Sequence, residues 1–348
     1  MTDGSRDRKV RGAQIRSSRE DKRKRRSTTR HDKELDRLTK PTTATTEPDP
    51  DSHLEETFIP DEQPFVETES VRRIKARTQR WLAADRPVHL VGPTGCGKTS
   101  LAMHIARQRD RPVVWINGDA DLTTSDLIGE YAETERVSER DKYIHNVMKS
   151  KDIVRDRWVD NPLTLAVREG ATLVYNEFSR TKPAANNVLL SVFEEGVLEL
   201  PGRRGEDRYV DVHPEFRAVL TSNSVEYAGV HEPQDALLDR LVGIYMDFYD
   251  RETEREIVRS HVSDVANDDI AYVVELVGQL RDRLDIDVGT RAAIMAAEGV
   301  AVTDAPDDEA LVEVLVDVLA SKLPDYEAVK DLRSQVANVV SDTEGDLS

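Results

Sequence analysis

Residues Val88 to Thr99, Val-His-Leu-Val-Gly-Pro-Thr-Gly-Cys-Gly-Lys-Thr, constrain the fold more than any other stretch, because a short apolar strand runs straight into Gly-x-x-x-x-Gly-Lys-Thr. Gly92, Gly95 and Gly97 leave the loop without Cβ atoms. Successive backbone N–H groups can therefore converge on phosphate oxygens at the positive end of a following helix. Ser100 to Gln108 reads as that helix. The loop Gly92, Pro93, Thr94, Gly95, Cys96, Gly97, Lys98 and Thr99 is expected to cradle a nucleoside triphosphate. Lys98 would reach the β- and γ-phosphates and Thr99 a magnesium ion.

A phosphate loop between strand and helix demands an α/β sheet, and the downstream pattern supplies one. Apolar runs with the look of buried parallel strands occur at Val88–Val91, Val113–Ile116, Thr172–Tyr175, Phe216–Thr221 and Gly243–Phe248. An amphipathic helix is expected over Val66–Leu82. Five strands with intervening helices predict a five-stranded parallel sheet in three layers. After Asp250 helical periodicity takes over, in Glu252–His261, Asp268–Leu284, Thr290–Val302, Asp308–Leu323 and Tyr326–Val340, with breaks at Asp287–Gly289 and Pro306. The chain therefore divides into a tail (1–56), an α/β nucleotide-binding domain (57–250) and an all-helical lid domain (251–348).

Charge separates the tail from the rest. The formal net charge is −18, yet residues 1–40 hold 15 Lys and Arg against 7 Asp and Glu, leaving 34 against 60 for the remainder. The tail contains Lys22-Arg-Lys-Arg-Arg26 and a Thr/Pro-rich stretch from Thr39 to Pro50, and is too poor in apolar residues to offset chain entropy. Disorder is expected there. The basic run could meet nucleic acid, an acidic partner or the acidic body of the same chain. The acidic body fits an ordinary solvated surface or, the reading that composition favours, a cytoplasm at molar salt where charge is strongly screened. Cys96 is the only cysteine, so no intramolecular disulfide can form, and no apolar run is long enough to span a bilayer. Both fit a cytoplasmic location. Trp81, Trp115 and Trp158 are expected to pack, since nothing in their spacing suggests a base-stacking platform.

Hydrolysis needs a carboxylate beside the phosphate loop. The apolar run from Ala171 to Tyr175 ends in Asn176-Glu177. In a parallel sheet its carboxyl end lies next to the loop, which places Glu177 to orient and polarise a water. Cys96, near a helix N-terminus where thiolate is favoured, reads mainly as a small residue that fits the loop, with a redox role as the alternative.

The stretch Asn176-Glu-Phe-Ser-Arg-Thr-Lys-Pro-Ala-Ala-Asn-Asn-Val-Leu-Leu-Ser-Val-Phe-Glu-Glu195 is similar to the segment after the Walker-B strand in the MoxR branch of AAA+ ATPases, with a helix at 186–192. Together with Asp126-Leu-Ile-Gly129, Trp158-Val-Asp-Asn-Pro-Leu163, read as a linker, and Leu198-Glu-Leu-Pro201, it most closely resembles the gas-vesicle protein N family. The resemblance covers most of residues 60–300.

That resemblance implies further roles. Asn223 matches the sensor-1 polar residue that helps place the water. Arg240, in Asp235-Ala-Leu-Leu-Asp-Arg-Leu241, matches the arginine finger offered to a neighbouring subunit, although it could also be an exposed Arg paired with Asp239 or Asp235. Arg291, after Gly289-Thr290, matches sensor 2. Arg180 is balanced between an intersubunit bridge and a structural ion pair. The family has Asp-Glu where this chain has Asn176-Glu177. The amide keeps an oxygen for magnesium but drops a charge, so metal affinity or turnover is expected to be lower. The implied activity is Mg2+-dependent ATP hydrolysis by a ring, a hexamer, that remodels or assembles protein complexes as a chaperone-like factor in gas vesicle formation. Its implied partners are other gas-vesicle assembly or shell proteins, and its implied location is the cytoplasm, at or near gas vesicles. The competing readings are an ATP-gated binding protein with little hydrolysis, which Asn176 keeps open, and a nucleic-acid motor, which only the basic tail suggests. A small-molecule kinase has no use for an arginine finger or a lid.

Overall fold

The structure, a computed structural model, describes residues 59–347 apart from 62, 141–149, 224–233, 264 and 304–306. The tail and its basic run lie outside the described residues.

Helix α1 (Glu69–Ala83) is N-capped by Thr68, whose hydroxyl accepts from the Val71 amide, and it buries Val71, Thr78 and Leu82 against the sheet. Strand β1 (Val88–Gly92) leads through the phosphate loop into α2 (Lys98–Arg107). Next come β2 (Val113–Asn117), the short α3 (Thr124–Ile128), β3 (Gly129–Arg140), β4 (Ser150–Asp160) and α4 (Pro162–Glu169). They are followed by β5 (Thr172–Asn176), α5 (Pro183–Asn186), α6 (Val188–Glu194), β6 (Val197–Glu199) and β7 (Tyr209–Asp211). Strand β8 (Arg217–Asn223), helix α7 (Asp235–Leu238) and strand β9 (Val242–Tyr245) complete the α/β half.

The central sheet has the order β2-β5-β8-β1-β9, with every neighbouring pair parallel. Side chains alternate between its faces, as strand geometry requires. Leu173, Tyr175, Ala218 and Leu220 pack with α4 and α6, while Val174, Val219, Val88 and Leu90 pack with α1 and α2. Helices thus cover both faces and give the expected three layers. The register sets Asn117 beside Asn176 and Gly92 beside Asn223, so four chain positions line up along the carboxyl edge.

Two hairpins are additions to the expected scheme. Strands β3 and β4 pair antiparallel, with an irregularity between Glu133 and Glu135, and β6 pairs with β7. Trp158–Asp160 therefore belongs to a strand and only Asn161 onward leads into α4, which corrects the reading of 158–163 as a linker. The helix expected over 186–192 is divided at Asn187 into α5 and α6. The last parallel strand is shorter than Gly243–Phe248. Trp81 is 40% exposed rather than packed, whereas Trp115 and Trp158 are half-buried.

Beyond the sheet come α8 (Arg251–His261), α9 (Asn267–Arg283), α10 (Thr290–Ala301), α11 (Asp308–Ala320) and α12 (Tyr326–Leu347). Asp250 caps α8 and Asp307 caps α11, each accepting from a backbone amide of the first turn. These helices share one apolar core, centred on Val274, Val277, Leu280, Ala293, Ala297, Leu315 and Val336. Among the described residues no helix is long and apolar enough to cross a membrane. Leu280 is fully buried in that core. Leu280→Ala is expected to remove about 2–5 kcal/mol from the stability of the helical region, read as a lower urea midpoint by far-UV circular dichroism; an unchanged midpoint would contradict this packing.

Candidate nucleotide site

The phosphate loop is fixed by close backbone packing. A Cβ on Gly92 would stand 2.1 Å from the Met246 carbonyl oxygen, so no other residue fits where β1 ends. Gly97 adopts φ +88° as it starts α2, a conformation costly for residues with a Cβ. Lys98, 5% exposed, donates from Nζ to the carbonyls of Gly92 (3.0 Å) and Pro93 (2.7 Å). Its ammonium is thereby held under the loop. Cys96 is fully buried, and burial pushes its thiol up despite nearby Lys98. The thiolate character expected from the helix N-terminus does not develop, and the side chain serves as a small packing group.

The carboxyl edge of the sheet converges on one amide. Thr99 Oγ1 donates to Asn176 Oδ1 at 2.6 Å, and Thr221 Oγ1 donates to the same oxygen at 2.9 Å. Asn176 Nδ2 donates in turn to Asn117 Oδ1 at 2.8 Å. The Glu177 amide donates to Thr221 Oγ1 at 3.1 Å. Glu177 itself leaves the strand at φ +51°, in the left-handed region. For a residue with a Cβ this costs on the order of 1–3 kcal/mol. Its peptide neighbours hold it there: Gly118 N donates to Asn176 O (2.7 Å) and Arg180 N donates to Glu177 O (2.9 Å).

The strained turn aims the Glu177 carboxyl inward, where Oε2 is buried without a hydrogen-bond partner. Burial raises its pKa, opposed by the charges of Lys98 and Arg180 and by a hydrogen bond with the Asn223 side chain. Asn223 Oδ1 is likewise buried without a partner. The edge therefore presents a carboxylate of raised basicity beside an amide with an open acceptor, both next to the lysine.

The remaining expected residues are placed as follows. Arg180 is exposed, and its charge acts on Glu177. Arg240 does not pair with Asp235 or Asp239; its Nε donates to Glu194 Oε2 at 2.9 Å, and its guanidinium also reaches the Ala236 carbonyl. Arg291 is exposed in the first turn of α10, immediately after a Gly289-Thr290 turn that lies against Gly95 of the loop. A cleft of about 690 Å³ opens between Thr94 and the helical region, where Phe248, Arg281, Asp285, Val288 and Lys322 line it.

For a magnesium ion, the chain offers Thr99 Oγ1 and Asn176 Oδ1, hard oxygen donors of the type magnesium prefers, but both neutral. Among the described residues no cluster of three or more His, Cys, Asp and Glu side chains could hold a metal by itself. The donor set therefore fits an ion that arrives with phosphate oxygens, not one held by protein alone.

Three contributors were not singled out from the sequence. Asn117 ends its apolar run as Asn176 and Asn223 end theirs, and that shared pattern was a usable signal. Thr221 carries no signal apart from its strand. His89 lies inside an apolar run, 7% exposed, with Nε2 2.7 Å from Ser222 Oγ and its ring edge-on to Phe178. It buttresses, from the opposite sheet face, the backbone that presents Asn223 and Glu177.

This sheet order, loop and polar edge define a P-loop ATPase fold of the AAA class, and the family described as AAA domain (dynein-related subfamily) matches residues 87–241. The chain is 68% identical to the gas vesicle ATPase GvpN of Haloferax mediterranei and 66% identical to GvpN1 of Halobacterium salinarum, in both cases over 348 residues and 100% of each chain. The chain belongs to the GvpN family. It is also 31% identical to the NorQ protein of Paracoccus denitrificans, over 62% of this chain and 73% of that one.

Burial lowers the His89 pKa to about 4 from 6.5. The unfolded chain binds that proton more readily, so the contribution is complete above pH 6.5 and is lost as pH falls toward 4. The loss amounts to about 3 kcal/mol at most. His89→Leu is expected to flatten the pH dependence of the melting temperature across this interval, and an unchanged slope would assign the acid sensitivity to other groups.

Proposed function

We propose that the chain hydrolyses ATP with magnesium in a homo-oligomeric ring, a hexamer, and uses the cycle to remodel or assemble protein complexes as a chaperone-like factor in gas vesicle formation. Other gas-vesicle assembly or shell proteins are its partners, and the cytoplasm, at or near gas vesicles, its location. The observation that carries the reading is the juxtaposition of Lys98, Thr99, Asn176, Glu177 and Asn223 on one sheet edge. GvpN relatives named as gas vesicle ATPases supply its context. Residues 57–250 form the nucleotide-binding domain in this reading and 251–348 the lid.

In the proposed reaction the loop amides and Lys98 bind the phosphates, and the cleft beside Thr94 takes the base and ribose. Thr99 and Asn176 would hold a magnesium ion, which supplies charge neutralisation on the phosphates. Glu177 orients the attacking water and accepts its proton, a task suited to a carboxylate whose basicity burial has raised. Asn223 steadies that carboxylate and offers its free oxygen to the water. Arg240 leaves Glu194 to approach the neighbouring subunit's γ-phosphate, a contribution worth about 10³–10⁵ in rate in related machines. Arg291 reports nucleotide state to the lid.

Glu177→Gln is expected to slow phosphate release about 10²–10⁴-fold while leaving ATP binding intact. Equal, near-zero release in wild type and variant, with ATP bound by both, would replace hydrolysis with the ATP-gated reading. Asn176 is the observation that favours this second reading, because its amide oxygen already accepts two hydroxyls and carries no charge. Asn176→Asp restores a charge at that point, and magnesium affinity in the presence of ATP is expected to rise about tenfold. Unaltered affinity in a magnesium titration would remove position 176 from the metal's surroundings. Capture with Glu177→Gln and ATP is the assay for the client, and recovery of no gas-vesicle protein would count against the assembly role.

A further inference from the structure

We propose that Glu254 is a positioning residue that sets where Arg291 stands relative to the phosphate loop, acting through Thr290 and Arg281; this rests on the reading of Arg291 as the nucleotide-responsive arginine. The Glu254 side chain is completely buried, and both of its oxygens are used. Oε1 accepts from Arg281 Nη2 at 2.7 Å and from Thr290 Oγ1 at 2.8 Å. Oε2 accepts from Arg281 Nη1 at 3.2 Å and more distantly from Arg251 at 3.5 Å. Arg281 also donates from Nε to the Val288 carbonyl at 2.6 Å. One carboxylate therefore fixes both ends of the 288–290 turn, directly at Thr290 and through Arg281 at Val288.

The turn so fixed is the one that touches the loop. A Cβ on Gly289 would lie 2.6 Å from the Thr94 carbonyl oxygen and 2.9 Å from Gly95 Cα, so the two backbones are in contact without side chains between them. Arg291 is two residues further on, in the first turn of α10. The carboxylate is in turn referred to the sheet half. Helix α8 is tied to α1 by the Thr68–Thr253 hydroxyl pair (2.9 Å) and by Ser70 donating to Asp250 at 2.7 Å. The Arg281 guanidinium also stands 4.1 Å over the Phe248 ring, in the segment joining β9 to α8.

A buried ion pair contributes little net stability compared with apolar packing of the same volume, but it is directional. Here the directions run from the frame of the sheet to the start of the helix bearing Arg291. Displacing Thr290 from Glu254 lets that helix start drift while the apolar core of the helical region stays intact.

The test uses the full chain and four variants: Thr290→Val, Thr290→Ser, Arg291→Ala, and the double variant Thr290→Val with Arg291→Ala. Thr290→Val deletes one hydroxyl and leaves Glu254 paired with Arg281, so the fold is retained; melting temperatures verify this. The readouts are the dissociation constant for a fluorescent ATP analogue and the rate of ATP turnover. Thr290→Val is expected to weaken nucleotide binding about fivefold to tenfold, Thr290→Ser to bind as wild type, and Thr290→Val to change affinity less than about twofold once Arg291 is alanine. Equal weakening by Thr290→Val in both backgrounds, or none beside a functional Arg291, overturns the positioning role. A silent Arg291→Ala overturns the reading of Arg291 itself, and with it this inference, and is recognised from that single variant alone.

Discussion

The rest of the site depends on the hydrogen bond between Thr99 Oγ1 and Asn176 Oδ1. Without it the phosphate-loop helix and the strand leading to Glu177 would rest mainly on apolar packing, which fixes separation better than it fixes register. The same amide oxygen takes the Thr221 hydroxyl, which also accepts from the Glu177 amide. Three elements, α2, β5 and β8, thus meet within one hydrogen-bond network. Each such bond contributes roughly 0.5–1.5 kcal/mol net, modest for stability. Their directionality matters more, because it holds Glu177 in a left-handed conformation that its own backbone disfavours.

What could be read from the sequence follows from what physical signal each element emits. The inner strands β1, β5 and β8 are buried on both faces and therefore appear as apolar runs such as Thr172–Tyr175, which the pattern picks out. The β3–β4 hairpin emits the opposite signal. Its Glu133-Thr-Glu-Arg-Val-Ser-Glu-Arg140 stretch lacks apolar alternation, so nothing local distinguished strand from loop. The loop residues are legible because a phosphate site needs fixed residue types at fixed spacing, and Glu177 because it follows the carboxyl end of an apolar run. Asn117 and Thr221 contribute through partners 59 and 45 residues away, separations that no spacing rule covers. Arg240 was identified, but its partner Glu194 lies 46 residues back and only packing brings the two together.

The two halves of the chain are held together by different means. In the sheet, parallel ladders fix every strand in register, and a shift of one residue would turn each buried side chain to the wrong face. The contact between the loop and the helical region has no such ladder. It consists of Gly289 against Gly95, backbone on backbone, braced by the Glu254 carboxylate. Glycine contacts allow close approach without interlocking, so sliding there costs little, whereas pulling Glu254 away from Arg281 would leave a buried charge unpaired at a cost of about 3–5 kcal/mol. Rotation of α10 about its fixed start is therefore easier than separation of α10 from α8.

The acidic surplus of the body sharpens this contrast. At high salt, attraction between exposed groups is screened within about 3 Å, and exposed pairs such as Arg283–Asp342 contribute little. The fully buried Glu254 and the largely buried Arg281 keep more of their attraction under the same conditions, as does Lys98 beneath the loop carbonyls. Asn176 is half-buried between Thr99 and Thr221, so a charge at position 176 would be less shielded from bulk ions than the fully buried Glu254 is. With an amide at 176, the carboxylate at this edge of the sheet is Glu177, whose basicity burial raises.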